Sequence, residues 1–373
     1  MNSMVESKRN VVTMVSEKAK FRLRCLCLQR VSPTVVVQDV KSLDVADWIV
    51  FQEWFVQACF MDDYYTHRKN NGTGDALYWK NLLHKCVKAS HGVMSESMAD
   101  ALIALDSILE ENDSCMQETA SWLHKTYMYG PADGEMEELY MTANSNMFQG
   151  STGCFEWDAG YFLAEYVMNH AEMFRSRVCI ELGCGCGMVG AVMSRLEGGI
   201  QPVICTDGDW ETLGNCEHNM KQNNVSVVHQ GDGGRHGVAL VQFQWEDGWL
   251  CFEQQIKDIL ASRGRETPVS LIGADLLYDP EIIPVIVPLI SEFLEHMRDR
   301  PGSSVYLSTK RRSEDTLQKF LDAVNEYPHV KLDNVGDEIS YQNDANAWRF
   351  FHIPSLDASR DSIILHRLTL QQK

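Results

Sequence analysis

One stretch limits the folds open to this chain more than any other: Val178-Cys-Ile-Glu-Leu-Gly-Cys-Gly-Cys-Gly-Met-Val-Gly190. A hydrophobic run carrying Glu181 breaks into three alternate glycines, Gly183, Gly185 and Gly187, and a helical pattern begins near Met188. Glycine lets the backbone turn sharply and leaves no Cβ to obstruct a neighbour. The segment therefore reads as a strand, a tight turn and a helix in direct succession.

The rest of the C-terminal half repeats that alternation. Candidate strands are Val178–Leu182, Val203–Thr206, Val225–His229, Val269–Ala274, Val305–Ser308, Val330–Leu332 and Ile363–Thr369, with a further short run at Leu240–Phe243. Candidate helices are Asp158–His170, Met188–Leu196, Trp210–Gln222, Phe252–Ser262, Pro280–Met297 and Glu314–Asn325. Such alternation predicts an α/β fold, with a mostly parallel sheet covered on both faces. The last two strands lack a clear helix between them and are expected to form an antiparallel edge joined by a long loop from about 336 to 361.

Earlier residues read differently. Trp48, Phe51, Trp54, Phe55 and Cys59 recur at helical spacing, as do Leu102, Leu105, Ile108 and Leu109, then Trp122, Leu123 and Tyr127. The expected organisation is a basic, partly disordered N-terminal arm over 1–41 and an all-helical domain over 42–130. A linker and lead-in loop over 131–153 and the α/β domain over 154–373 follow. The arm reading rests on Lys8, Arg9, Lys18, Lys20, Arg22, Arg24 and Arg30, set against only Glu6 and Glu17.

Charge narrows the partners. A net charge of −19 repels nucleic-acid phosphates and suits a basic protein surface. No apolar run approaches the roughly 20 residues that span a bilayer. The apolar run from Ile282 to Leu289 reads as a buried helix, so no membrane partner is expected. Twelve cysteines include no CxxC pair, which fits reduced thiols and a cytoplasmic protein better than a disulfide framework. Twelve histidines lack metal-ligand spacing, and no metal is expected.

Three acidic residues close candidate strands: Glu181, Asp207 in Val203-Ile-Cys-Thr-Asp207, and Asp275 in Leu271-Ile-Gly-Ala-Asp275. In a doubly wound sheet, ligands sit outside the carboxyl ends of the strands, where all three would fall if these strands run parallel. Gly185-Cys-Gly-Met-Val-Gly190 fits a dinucleotide pattern, yet Glu181 is awkward beside a pyrophosphate. A carboxylate there suits a cationic, phosphate-free ligand such as S-adenosylmethionine, with its sulfonium and ammonium. A dinucleotide, or a turn that binds nothing, stays open on the residues alone. Asp207 is placed to accept ribose hydroxyls, and Leu213, Asn215 and Asn219 continue its helix. Asp275 could equally cap a helix. Trp157 and Trp245 could pack on a ligand or fill the core.

Taken together these motifs resemble the seven-β-strand protein-lysine methyltransferases, and within them the elongation factor 2 lysine methyltransferase branch. The family motif G-x-x-x-W-D-A-A-x-x-L-A-E is similar to Gly153-Cys-Phe-Glu-Trp-Asp-Ala-Gly-Tyr-Phe-Leu-Ala-Glu165. Its E-L-G-x-G-x-G matches Glu181 to Gly187. Its L-x-W, which flanks adenine, is similar to Phe243-Gln-Trp245, with Phe243 in the leucine's place. Its A-D-x-x-Y matches Ala274, Asp275 and Tyr278, and R-x-x-x-T-x-Q-x-F is echoed by Arg312, Thr316, Gln318 and Phe320. The likeness spans about 150–325.

The resemblance implies a Rossmann-like seven-stranded sheet and transfer of a methyl group from S-adenosylmethionine to a protein lysine, with elongation factor 2 as a candidate substrate. It implies donor contacts from Trp157, Glu181, Gly183, Cys184, Gly185, Gly187, Asp207, Trp245 and Ala274, and catalytic roles for Asp275 and Tyr278. The expected protein is a monomer. A protein-histidine or small-molecule methyltransferase, or a non-catalytic binding module on the same fold, remains an alternative.

Overall fold

The structure, a computed structural model, describes residues 15–42, 48–63, 73–111, 122–144, 152–196, 202–228, 237–336 and 344–371. The chain forms two compact units. The first draws on Met1–Met128, Tyr140–Asn146 and Phe351–Ile353, the second on Tyr129–Leu139, Met147–Phe350 and Pro354–Lys373.

The first unit is built on the helices Glu17–Leu28, Pro33–Ser42, Trp48–Phe55, Thr73–Ala89 and Glu96–Glu111. Their apolar faces meet in one core containing Leu23, Leu26, Val36, Phe55, Trp79, Leu82 and Leu105. Two expectations are corrected here. From Glu17 onward the basic segment is helical and packed rather than an arm. Its arginines have acidic partners: Arg22 pairs with Asp39 at 2.7 Å, Arg24 with Asp62 at 2.6 Å. Arg30 is buried between Asp63 and Asp75 at 2.8 and 2.7 Å. Charge counted locally missed those partners because they lie further along the chain. Residues 1–14 of the expected arm lie outside the described residues.

Second, Trp122–Gly130 is a strand (β1), not the end of a helical domain. Tyr127 and Tyr129 are buried and Met128 between them is partly exposed, which is a period of two. In a short aromatic run, apolar residues satisfy either spacing, and strand propensity prevails. A second strand, Glu137–Asn144 (β2), occupies part of the expected linker, and 145–151 lie outside the described residues.

The second unit carries the sheet. Its strands are β3 (Val178–Leu182), β4 (Val203–Asp207), β5 (Val227–Val228), β6 (Val238–Gln242), β7 (Val269–Ala274), β8 (Ser304–Lys310), β9 (Val330–Asn334) and β11 (Ile363–Leu370). The short β10 (Arg349–Phe350) instead pairs with Tyr129 and Gly130 of β1. The spatial order is β5-β6-β4-β3-β7-β8-β11-β9. β5 through β8 run parallel, and β11 lies antiparallel between β8 and β9. The seven candidate strands are joined by an eighth, β6, which forms where Leu240–Phe243 gave only a short signal. The candidate strand at 225–229 shrinks to two residues, and His229 lies outside the described residues.

Alternation assigns each strand two faces. Ile180, Leu182, Ile204, Leu271 and Leu307 point into a core with Trp249, Phe252, Ile286, Phe293 and Phe320 from the helices Gly248–Ser262, Ile283–His296 and Glu314–Asn325. Cys179, Glu181 and Cys205 take the opposite face, where the helices Asp158–Asn169, Met188–Arg195 and Trp210–Gln222 lie. Helix starts follow their caps: Asp209 accepts from Thr212 N–H, and Ser313 from Thr316 N–H. Of the run from Ile282 to Leu289, the helix Ile283–His296 buries Ile283, Ile286, Val287 and Leu289, while Pro284 and Pro288 face out. Among the described residues no helix is long and apolar enough to cross a membrane.

Candidate active site

From β3 the chain winds outward to β4, β6 and β5 on one side, then returns to β7 and β8 on the other. The carboxyl ends of β3 and β7 thus flank the point where strand order reverses, the usual ligand site of such sheets. A cavity of about 760 Å³ opens there. Of the residues singled out in the sequence, Trp157, Glu181, Gly183, Cys184, Gly185, Asp207, Trp245, Ala274, Asp275 and Tyr278 line it.

The glycine turn makes room for this cavity by close approach. Gly183 has φ +59°, and a Cβ there would sit 2.9 Å from Leu276 and 3.3 Å from Trp245. Gly185 has φ +54°, and its Cβ would lie 2.8 Å from the Gly153 carbonyl oxygen. Cys184 N–H donates to Thr206 O at 2.8 Å, and Gly185 N–H to Asp207 Oδ2 at 3.2 Å. The turn is thereby tied to the end of β4 and pressed against the lead-in segment. Gly187 corrects the donor-contact expectation, because it does not line the cavity. It precedes the helix Met188–Arg195 and faces Cys216, whose Sγ would lie 2.4 Å from an added Cβ.

Glu181 lies at the cavity floor, 3% exposed. Its Oε2 accepts from Gly190 N–H at 3.1 Å and Cys205 Sγ at 3.4 Å. Burial pushes its carboxyl up to about 8, with Cys216 and Asp207 adding to the shift and the two donors opposing it. Burial also raises Asp207, against the N–H donors of Asp209 and Gly185. Helix capping falls to Asp209, which leaves Asp207 at the cavity wall. Trp245 turns its indole inward. Its Nε1 is buried and has no hydrogen-bond partner among the described residues. Such an orphaned donor in a cavity wall is what a ligand acceptor would satisfy.

Asp275 is no helix cap. It takes a left-handed backbone conformation, φ 58°, uncommon for a residue with a side chain. Its N–H donates to Ser308 O at 2.7 Å. Its Oδ1 and Oδ2 accept from Arg312 Nη1 and Nη2 at 2.7 and 2.6 Å, and Oδ1 also accepts from Lys310 N–H at 3.3 Å. The pairing with Asp275 raises the guanidinium's already high pKa further, against desolvation. Arg312 also sits over the Trp157 ring, 5.4 Å from its centroid. Trp157 Nε1 donates to Thr152 O at 3.2 Å. Tyr278 is 55% exposed.

Arg312 is the main functional candidate that residue-level reading left without a role. Its signal was present in the R-x-x-x-T likeness, but its partner is 37 residues upstream. Glu156, Asp209 and Glu246 also line the cavity. With Glu181, Asp207 and Asp275 they make the wall acidic, against the single cation Arg312 among the described lining residues. Among the described residues no cluster of three or more histidine, cysteine or acidic side chains is arranged to hold a metal ion.

Residues 135–327 match the profile of a family described as lysine methyltransferase. The chain is 24% identical over 238 residues to protein-lysine N-methyltransferase EFM3 of Chaetomium thermophilum, covering 63% of this chain and 65% of that protein. It is 24% identical over 250 residues to protein-lysine N-methyltransferase EEF2KMT of Mus musculus, covering 66% and 68%. The match thus spans about two thirds of the length of these curated relatives. Among solved structures, the methyltransferase domain of bacterial CtHen1-C is 13% identical at a TM-score of 0.37, over 58% of this chain and 100% of that chain.

Proposed function

The chain belongs to the lysine methyltransferase family, and from that premise we propose that it is an S-adenosylmethionine-dependent protein-lysine N-methyltransferase. The observation that carries this reading is the convergence of Glu181, Asp207 and Asp275 on one acidic cavity whose single lining cation among the described residues, Arg312, is already paired. A pyrophosphate would meet these carboxylates with no free cation to offset them, whereas a cationic, phosphate-free ligand is favoured. The unpartnered Trp245 N–H and the Gly183–Gly185 cradle fit the same group.

In this reading Glu181 faces the donor's positive charge, Asp207 accepts ribose hydroxyls, and Trp157 and Trp245 close on its apolar parts. When bound, S-adenosylmethionine supplies an electrophilic methyl group on a sulfonium. The nucleophile is a lysine Nε, which must be neutral. Deprotonating it in water near pH 7 costs about 4–5 kcal/mol, and a dry channel lowers that cost by disfavouring the ammonium. Asp275 and Tyr278 orient the amine, and alignment supplies most of the remaining acceleration. A basic protein surface is the matching substrate for a chain of charge −19, and elongation factor 2 is the proposed target. The protein is proposed to act in the cytoplasm as a monomer.

Calorimetry with S-adenosylhomocysteine, followed by tritiated-donor labelling of a cytosolic lysate, tests the assignment. Binding plus a labelled band at the mass of elongation factor 2 is expected. Binding of a nicotinamide dinucleotide instead, or donor binding with no protein labelled, refutes the transferase reading.

A further inference from the structure

The Asp275–Arg312 pair raises a question that the proposed function leaves open. A carboxylate beside the reacting amine orients it but also stabilises its ammonium form, which cannot attack. An opposite charge within about 4–6 Å shifts a titrating group by about 1–3 pH units toward its charged form. Asp275 alone would therefore oppose the deprotonation that the reaction needs.

We infer that Arg312 is a positioning residue for the transfer step: by holding Asp275 in a two-bonded ion pair it offsets the carboxylate's charge, so the incoming amine meets an acceptor without being held as an ammonium ion. The inference rests on the proposed methyl transfer. Three observations carry it. The pair is bidentate, at 2.7 and 2.6 Å, the strongest geometry available to these groups. Asp275 is buried, so water screens its charge poorly and a neighbouring cation must do so. A carboxylate has about four acceptor sites. Oδ1 uses two, on Arg312 and the Lys310 N–H, and Oδ2 uses one, on Arg312. One site on Oδ2 remains for a donor, and Asp275 lines the cavity. The Trp157 ring, 5.4 Å from the guanidinium carbon, adds a cation–π attraction that helps hold Arg312 in place.

Two other charged groups nearby, Asp158 and Arg311, are already paired. Asp158, which also acts on Arg312, is bound to Lys310 Nζ at 2.7 Å. Arg311 pairs with Glu314 at 3.3 Å. Tyr278, Glu156 and Glu246 line the same cavity, as do Glu181, Asp207, Asp209, Cys184 and Cys186 around the glycine turn.

The test is the pH profile of tritium transfer from S-adenosylmethionine to proteins of a cytosolic lysate, for the wild type, Arg312→Gln, Arg312→Lys and the double variant Asp275→Asn with Arg312→Gln. S-adenosylhomocysteine affinity at each pH confirms an intact donor site. Arg312→Gln is expected to move the plateau upward by about 1–3 pH units, which is a 10- to 1,000-fold loss near pH 7 that closes at high pH. Arg312→Lys keeps the wild-type position. The double variant, lacking the carboxylate, returns toward it whatever its absolute rate. A loss in Arg312→Gln that is the same at every pH, or a double variant that stays shifted, overturns the inference and leaves the transferase reading standing. Absence of labelling by the wild type overturns both.

Discussion

Glu181→Gln removes a charge that the fold holds away from water. In the donor-free protein, burial pushes this carboxyl from the ordinary 4.5 to about 8. The unfolded chain releases the proton near 4.5, while the native state keeps it until about 8. Stability is therefore unaffected below about pH 4.5 and is lost progressively as pH rises through 8. At about 1.4 kcal/mol per unit, the whole penalty is on the order of 5 kcal/mol, of which about 3 kcal/mol has developed at pH 7. Glutamine mimics the protonated acid. Its Oε1 keeps the Gly190 N–H, its amide faces the cavity, and it has no charge to bury. Donor-free Glu181→Gln should thus be more stable than wild type by roughly 3 kcal/mol at pH 7, about 6–12 °C in melting temperature for a domain of this size. The advantage should shrink to under about 1 kcal/mol near pH 5. Urea denaturation of both proteins from about pH 5 to pH 8 measures it. Calorimetry with S-adenosylhomocysteine in two buffers of different ionisation enthalpy adds the functional half, since wild-type binding should release a proton below pH 8 and the variant should not. A stability difference that is flat across this range would refute the reasoning, because it would mean Glu181 is not held protonated by burial.

Trp245→Phe should leave stability unchanged, since the indole N–H has no hydrogen-bond partner among the described residues, and should weaken S-adenosylhomocysteine about 2- to 12-fold, the worth of one hydrogen bond; calorimetry reads the loss. Gly185→Ala combines a left-handed backbone, about 1–2 kcal/mol, with a Cβ 2.8 Å from the Gly153 oxygen. With the clash added to the backbone cost, it should destabilise by about 2 kcal/mol or more and reduce donor affinity more than tenfold, as denaturation and calorimetry would show. His366, packed on Phe320 with ring centroids 5.5 Å apart, is pushed down to about 4 by burial. Its contribution is complete above pH 6.5 and is lost as pH falls through 4, so His366→Leu should flatten the acid limb of the stability curve by about 3 kcal/mol; urea midpoints near pH 4 and pH 7 test this.

Several elements were legible in the sequence because their causes are local. The helices Trp210–Gln222 and Glu314–Asn325 begin at the residues their caps dictate. The parallel run of strands followed from the alternation of short apolar strands with amphipathic helices. Where the sequence misled, spacing was ambiguous or partners were distant. Tyr127 fits a helix or a strand until its neighbours are packed. The basic residues after Lys18 looked like an arm because Asp39, Asp62, Asp63 and Asp75 come later. Gly187 belongs to the glycine pattern, but its turn faces Cys216 rather than the cavity.

The glycine turn and the acidic strand ends were determined by the sequence itself. A backbone at positive φ favours glycine, and a parallel sheet carries its strand ends to one edge whatever the rest of the chain does. The tertiary structure alone decided what those carboxylates are. Burial makes Glu181 hold its proton, and the return of β8 beside β7 brings Arg312 onto Asp275. Desolvation and pairing depend on which distant residues arrive at a point in space, and no local spacing encodes that arrival.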